Sequence, residues 1–237
     1  MDYCCSEIWR TNFLDLLPTT MKVLQMPLFG YAVNLCIAIV LIIGGYQFYF
    51  FVQRRHWREP IEFKTHADDK IPFRPQWIWV YSGLYYPVII FLVFTMRSFA
   101  QFNYTAFNFL LLLAMQVTVF YVFPVRTPER WRSYDVTSSP SARFLGFVQK
   151  YDGRPNSFPS MHVSVAMLTS LHLYQNIAQD VGPYAYLSFL FPVLIATSSL
   201  YTKQHYVVDL LPGVMLGYAN FELYRLLTVA ICGHEFC

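Results

Sequence analysis

Six apolar stretches, each about twenty residues long, constrain this chain more than any other feature. They run from about 28 to 52, 76 to 96, 104 to 123, 160 to 178, 184 to 201 and 205 to 230. The hydrocarbon core of a bilayer is ~30 Å thick, and a helix needs ~20 apolar residues to cross it. Backbone inside lipid must satisfy its own hydrogen bonds, which leaves helices and closed barrels. Barrel strands alternate in ~10-residue blocks, and no such alternation is present. The expectation is an all-α polytopic membrane protein with six transmembrane helices in one bundle. Composition agrees, since 13% of the residues are charged, about half the roughly 25% of a soluble domain. That is too few to cover a water-exposed surface.

The first 26 residues hold Ile8, Trp9, Phe13, Leu14, Leu16 and Leu17, broken by Pro18. This reads as an interfacial amphipathic segment and not as a cleavable signal core. Residues 27–237 then form one six-span domain, with no internal repeat.

Six spans place the loops alternately on two sides. One side holds both termini and the loops near 97–103 and 179–183. The other holds the loops 53–75, 124–159 and 202–204. Thirteen of the seventeen Lys and Arg residues fall on the second side. By the positive-inside rule that side is cytoplasmic, although a phosphate site there would recruit the same cations whichever way it faced. Cys4, Cys5, Cys232 and Cys237 share the opposite side, either as free thiols or in an oxidising compartment.

The cation-rich side carries the chemistry. One segment, Lys150 to His162, reads KYDGRPNSFPSMH, and a second, Ser198 to Asp209, reads SSLYTKQHYVVD. Both sit where a loop enters a span, on the same side. His205 and Asp209 are four apart at a helix start and share a face. A carboxylate there can hold one ring nitrogen of His205 and raise the basicity of the other. Such an imidazole is a competent nucleophile toward phosphorus. An ionised Asp209 inside an apolar span also needs a partner. His162 opens the fourth span and is placed to protonate a leaving oxygen. Ser160 and the first free N–H groups of that helix make an anion site. Lys150, Arg154, Lys203 and Arg126 are candidate phosphate ligands, with Arg130 and Arg132 as further donors in the same loop. Two histidines and a carboxylate also suit a transition metal, but a metal would not call for this many cations nearby. No metal or cofactor is therefore expected. His172, three turns into the fourth span, is read as packing or helix-to-helix hydrogen bonding, as are Asn108 and Gln116. Trp77, Trp79, Tyr81, Tyr85 and Tyr86 are read chiefly as an interfacial anchor of the second span.

These residues resemble the type 2 phosphatidic acid phosphatase and haloperoxidase superfamily, in its membrane branch. Pro159-Ser160-Met161-His162 matches a Pro-Ser-x-His motif. Ser198 to Asp209 partly matches Ser-Arg-x5-His-x3-Asp, and Leu211-Pro212-Gly213 follows as in that family. The motif's arginine falls at Ser199 here, and Lys150-x3-Arg154-Pro155 is shorter than the family's Lys-x6-Arg-Pro. Thr202, His205, Tyr206 and Asp209 also fit the spelling of the sphingolipid-synthase side of the superfamily. The resemblance implies His205 as nucleophile, His162 as acid and Asp209 as orienter. It also implies chemistry that mostly faces away from the cytoplasm, against the charge count.

The expected activity is hydrolysis of a lipid phosphate monoester or diphosphate through a phosphohistidine, the commoner outcome in the superfamily. The alternative is headgroup transfer to a lipid alcohol through the same intermediate. A transporter would place its charges near the midplane, and a dead scaffold would be expected to lose one of the three central residues. The expected partners are the bilayer, in a plasma or inner membrane, and a phospholipid or lipid phosphate, with no nucleic acid. Oligomeric state is left open.

Overall fold

A computed structural model describes residues 26–53, 55, 57–152 and 156–232. The expected interfacial segment at 1–26 lies outside them except for Met26, as do Cys4, Cys5 and Cys237. The described chain is all-helical. The main helices are α1 (Leu28–Gln53), α2 (His66–Lys70), α3 (Tyr85–Phe94), α4 (Phe99–Val122), α5 (Pro140–Tyr151), α6 (Met161–Val181), α7 (Leu190–Tyr201) and α8 (Val207–Cys232). Short 3-10 or π turns run at Pro75–Trp77 and Trp79–Leu84 into α3, at Glu129–Arg132 before α5, and at Gly182–Phe189 between α6 and α7.

Four helical stretches are long and apolar enough to cross a membrane: Leu28–Gln53, Pro75–Phe94, Phe99–Val122 and Met161–Tyr201. The last has 41 residues, about twice what one crossing needs. It folds back on itself, because α7 packs against α6. Gly182, with φ +56°, ends α6, and Pro183 follows where no helical N–H is required. α8 carries Asp209, Asn220, Glu222 and Arg225, and it is not among the four.

Polarity is arranged inside out. Asn34, Asn108, Gln116, Thr169, Ser170, His172, Ser198, Ser199 and Asn220 are buried, while Leu28, Phe29, Val40, Val193, Leu211 and Met215 are exposed. A surface of that kind suits lipid. In lipid, small residues and buried hydrogen bonds, more than apolar burial, hold helices together.

α6 is the central element, packed by α3, α4, α7 and α8. Its closest neighbour is α8, and two glycines explain why. A Cβ on Gly213 would stand 2.8 Å from the Ser160 carbonyl oxygen, and one on Gly217 only 2.5 Å from that of Ser164. Four residues apart, they share one helix face and let the two backbones touch. The Ser160 N–H donates to the Asp209 carbonyl (3.1 Å), which fixes the register of α6 against α8. Gln116 of α4 joins them, donating to the Pro159 carbonyl and accepting from Ser164 Oγ.

The loops that the sequence placed on one side meet at one end of the bundle. A short bridge pairs Ile61 with Val125, the Arg74 N–H reaches the Tyr201 carbonyl, and Tyr206 Oη donates to the Arg126 carbonyl. Asp68 accepts the Val207 N–H at 2.8 Å. Lys203 Nζ donates to the Asp68 carbonyl at 2.6 Å.

Candidate active site

At this end a cavity of about 480 Å³ opens between α1, α3, α5 and the N-terminus of α6. His162 and His205 both line it, with their ring centroids 6.1 Å apart. The glycine contact of α6 with α8 brings them together, since each sits at the end of one of those helices.

His205 precedes α8 and is 5% exposed. Its Nδ1 lies 2.8 Å from the Ser157 carbonyl oxygen. A carbonyl only accepts, so Nδ1 carries the proton and Nε2 carries the lone pair. Asp209 is fully buried, with Oδ2 at 3.4 Å from the same Nδ1. Oδ2 also accepts the Tyr206 N–H at 2.8 Å. Asp209 thus caps the first turn of α8 and sets a negative charge behind the imidazole, while Ser157 is the nearer partner of Nδ1. Sequence spacing pointed to Asp209; a backbone carbonyl 48 positions upstream has no such signal.

His162 lies in the first turn of α6, whose N-cap is Ser160, with Oγ accepting the Val163 N–H. Tyr81 Oη lies 2.9 Å from His162 Nδ1. The hydroxyl donates to Nδ1 of the neutral ring, whose proton then resides on Nε2, and accepts from Nδ1–H of the imidazolium, so Nε2 bears a proton in both forms. The Tyr81 and Tyr85 rings pack on the imidazole, with centroids at 4.3 Å and 4.8 Å. Two of the aromatic residues read as a membrane anchor therefore seat this histidine. Trp77 and Trp79 instead pack on Tyr201 and Phe144.

The expected phosphate ligands divide. Ser160 is buried as the cap of α6. Lys203 points its ammonium at Asp68 and over the Trp131 ring, 5.1 Å from the centroid; burial lowers its pKa while Asp68 and Asp69 oppose that shift. Arg126 lies 3.5 Å from Glu62. Lys150 is exposed on the last turn of α5. None of these four lines the cavity. Arg154 lies outside the described residues. Arg132 is the one Lys or Arg among the described residues that does line it, and its Nη1 donates to the Gln149 and Asp152 carbonyls. Asn156, held at φ 75°, and Ser157 line the cavity too. Their side-chain polar atoms are buried and without partners among the described residues. Together with the open N–H groups at the start of α6, they provide hydrogen-bond donors toward an anion.

A second cavity, of about 150 Å³, shares Tyr46, Tyr86 and Met161 with the first and is otherwise lined almost wholly by apolar side chains of α1, α3 and α4. Its lining on α4 runs from Phe102 to Gln116, roughly 20 Å along the axis at the helical rise.

Among known proteins, an uncharacterised protein of Methanocaldococcus jannaschii is 30% identical over 73 residues, which are 31% of this chain and 28% of that protein. The chain thus covers under a third of that relative's length. No solved structure matches. The family model described as the PAP2 superfamily matches residues 66–223, two thirds of the chain and all of the site-bearing segments, so the chain is a member of the PAP2 superfamily.

Proposed function

We propose that this protein is an integral membrane lipid phosphatase that works through a phosphohistidine on His205. Members of its superfamily are typically phosphatases. The observation that carries the reading is the pinning of His205: Nδ1 is committed to the Ser157 carbonyl, while the ring lines the cavity that His162 also lines. In the first step the Nε2 lone pair of His205 attacks phosphorus. The bond from phosphorus to the leaving oxygen breaks, and that oxygen takes the Nε2 proton of a His162 imidazolium, which leaves a neutral ring. The ring becomes cationic, and the Asp209 carboxylate behind Nδ1 stabilises it. In the second step a water oxygen attacks phosphorus and gives a proton to His162. The P–N bond breaks, its electron pair returns to His205, and inorganic phosphate leaves. Arg132, Asn156, Ser157 and the α6 N–H groups face the charge that develops on the phosphoryl oxygens.

A lipid is favoured over a soluble phosphate by the second cavity, an apolar groove that shares Tyr46, Tyr86 and Met161 with the catalytic one and runs along the helices. We read the chain as crossing the bilayer six times, α6, α7 and α8 each once. The catalytic cavity then lies at the cation-rich face, which is cytoplasmic by the charge count. With a lipid alcohol in place of water, the same intermediate would yield a phospholipid.

The test uses purified protein in liposomes with a labelled lipid phosphate, with and without a lipid alcohol. Free phosphate as the product, lost in His205→Ala, supports the phosphatase. A new phospholipid formed only with the alcohol would make the protein a transferase. Vanadate is expected to inhibit and EDTA to have no effect.

A further inference from the structure

Asp152 lines the catalytic cavity, yet the cycle above leaves it without a task. A carboxylate in the wall of a phosphate site opposes binding of the anion, so its presence needs a reason. The residue is firmly placed. It caps the end of α5, its N–H donating to the Val148 carbonyl, and Arg132 Nη1 donates to its carbonyl at 2.9 Å. Its Oδ1 accepts from Tyr49 Oη at 3.1 Å and Gln53 Nε2 at 3.4 Å, both on α1. Its Oδ2 takes no hydrogen bond from the described residues. The aromatic rings of Tyr46, Tyr49, Phe50 and Tyr86 line the same wall. Burial raises the Asp152 pKa, and Arg132 and His205 pull it back down. A rigid acceptor among aromatic faces is a recognition element for N–H or O–H donors, ammonium groups above all.

We propose that Asp152, with this aromatic wall, forms a subsite for a hydrogen-bond donor, an ammonium or a hydroxyl, carried beside the phosphate by the alcohol portion of the substrate. Asp152 then acts as a specificity residue. It favours phosphomonoesters with such a donor over those without one, and it leaves the phosphoryl chemistry to the histidines. The inference rests on the phosphatase reading and deepens it.

Three monoesters separate the sources of the donor: phosphatidic acid has none, lysophosphatidic acid has a hydroxyl, and sphingosine 1-phosphate has an ammonium and a hydroxyl. Purified wild type is expected to prefer at least one donor-bearing substrate by about tenfold or more in kcat/KM. In Asp152→Ala that preference falls to within about twofold, mainly through KM, while kcat on phosphatidic acid stays within about threefold. An unchanged melting curve for Asp152→Ala guards against misfolding as the cause. Preference for the sphingoid substrate alone assigns the ammonium; equal preference for both assigns the hydroxyl. A wild type with no preference, or an Asp152→Ala variant that loses all three substrates in proportion, overturns the subsite. Full activity in His205→Ala, or no hydrolysis of any of the three by wild type, overturns the underlying phosphatase reading instead.

Discussion

Helix α6 carries two histidines ten residues apart, His172 buried and His162 half-buried, and they have opposite surroundings. His172 sits mid-bundle. Its Nε2 lies 3.0 Å from Asn108 Nδ2, Asn220 joins through Asn108, and Tyr104, Phe109 and Phe221 surround the ring. It lines neither cavity. His162 is as firmly held on one side, by Tyr81 and Tyr85, but its other side is open to a cavity shared with His205. The difference teaches that a buried polar group is no sign of chemistry by itself. Helices in lipid use such groups as fasteners. What sets the site apart is a histidine held by the protein at one nitrogen and facing a cavity with the rest of its ring.

The largest effect should separate these two regions outright. His205→Ala is expected to lower phosphate release at least about 10³-fold with little change in thermal stability. His172→Ala is expected to do the reverse. It leaves a void and takes the partner from Asn108 Nδ2, costs about 2–4 kcal/mol of stability, and keeps kcat in the folded fraction within about threefold. Detergent-resolved melting curves and turnover on the same samples check both. A strong loss of kcat in folded His172→Ala protein would break the distinction.

Next in size is His162→Ala. Loss of a general acid costs about 10²-fold or more on an alkyl phosphate. An aryl phosphate with an acidic leaving group needs little protonation, so most of the loss in the first step, read as the burst of released phenol that accompanies phosphorylation of His205, should disappear with it. Equal losses on both substrates would contradict the role.

Below this come the glycines that hold the two regions in register. Gly217→Ala forces a Cβ to 2.5 Å from the Ser164 oxygen, so α8 must shift. About 1–3 kcal/mol of stability is lost, together with several-fold in kcat. Gly44→Ala, with nothing within 4 Å of its Cβ, is expected to be neutral or stabilising by up to about 1 kcal/mol. Matched melting curves decide. Smallest is Tyr81→Phe, which keeps the ring on His162 and removes the hydroxyl. A hydrogen bond worth about 1 kcal/mol converts to roughly fivefold in kcat, read most clearly on the alkyl phosphate.

Much of this was legible in the sequence, and for identifiable reasons. The six apolar stretches fall in helical segments, and four helical stretches are long and apolar enough to cross a membrane, since lipid leaves a backbone few alternatives. His162, His205 and Asp209 could be picked out because helix periodicity and loop alternation put them at one face. His172, Asn108 and Gln116 could be read as fasteners because each lies deep in a span. The cation partners were not legible. Lys203 lies among the motif residues and Arg126 in the loop that leads to them, but the long loops fold back and turn these cations toward Asp68 and Glu62. Tyr81 and Asp152 were missed because each reaches the site through tertiary packing, from the second span and from the end of α5. The Ser157 carbonyl was missed because backbone atoms carry no sequence signature.

The most direct test of the central claim is to trap the intermediate. His162→Ala should form a phosphoenzyme from an activated aryl phosphate and hydrolyse it slowly, because no group remains to accept the proton of the attacking water. Rapid quenching at alkaline pH, followed by peptide mass spectrometry and phosphorus NMR, should find close to one phosphoryl group per protein, on Nε2 of His205. Full turnover by His205→Ala, or a phosphoryl group on any other residue, would contradict the account.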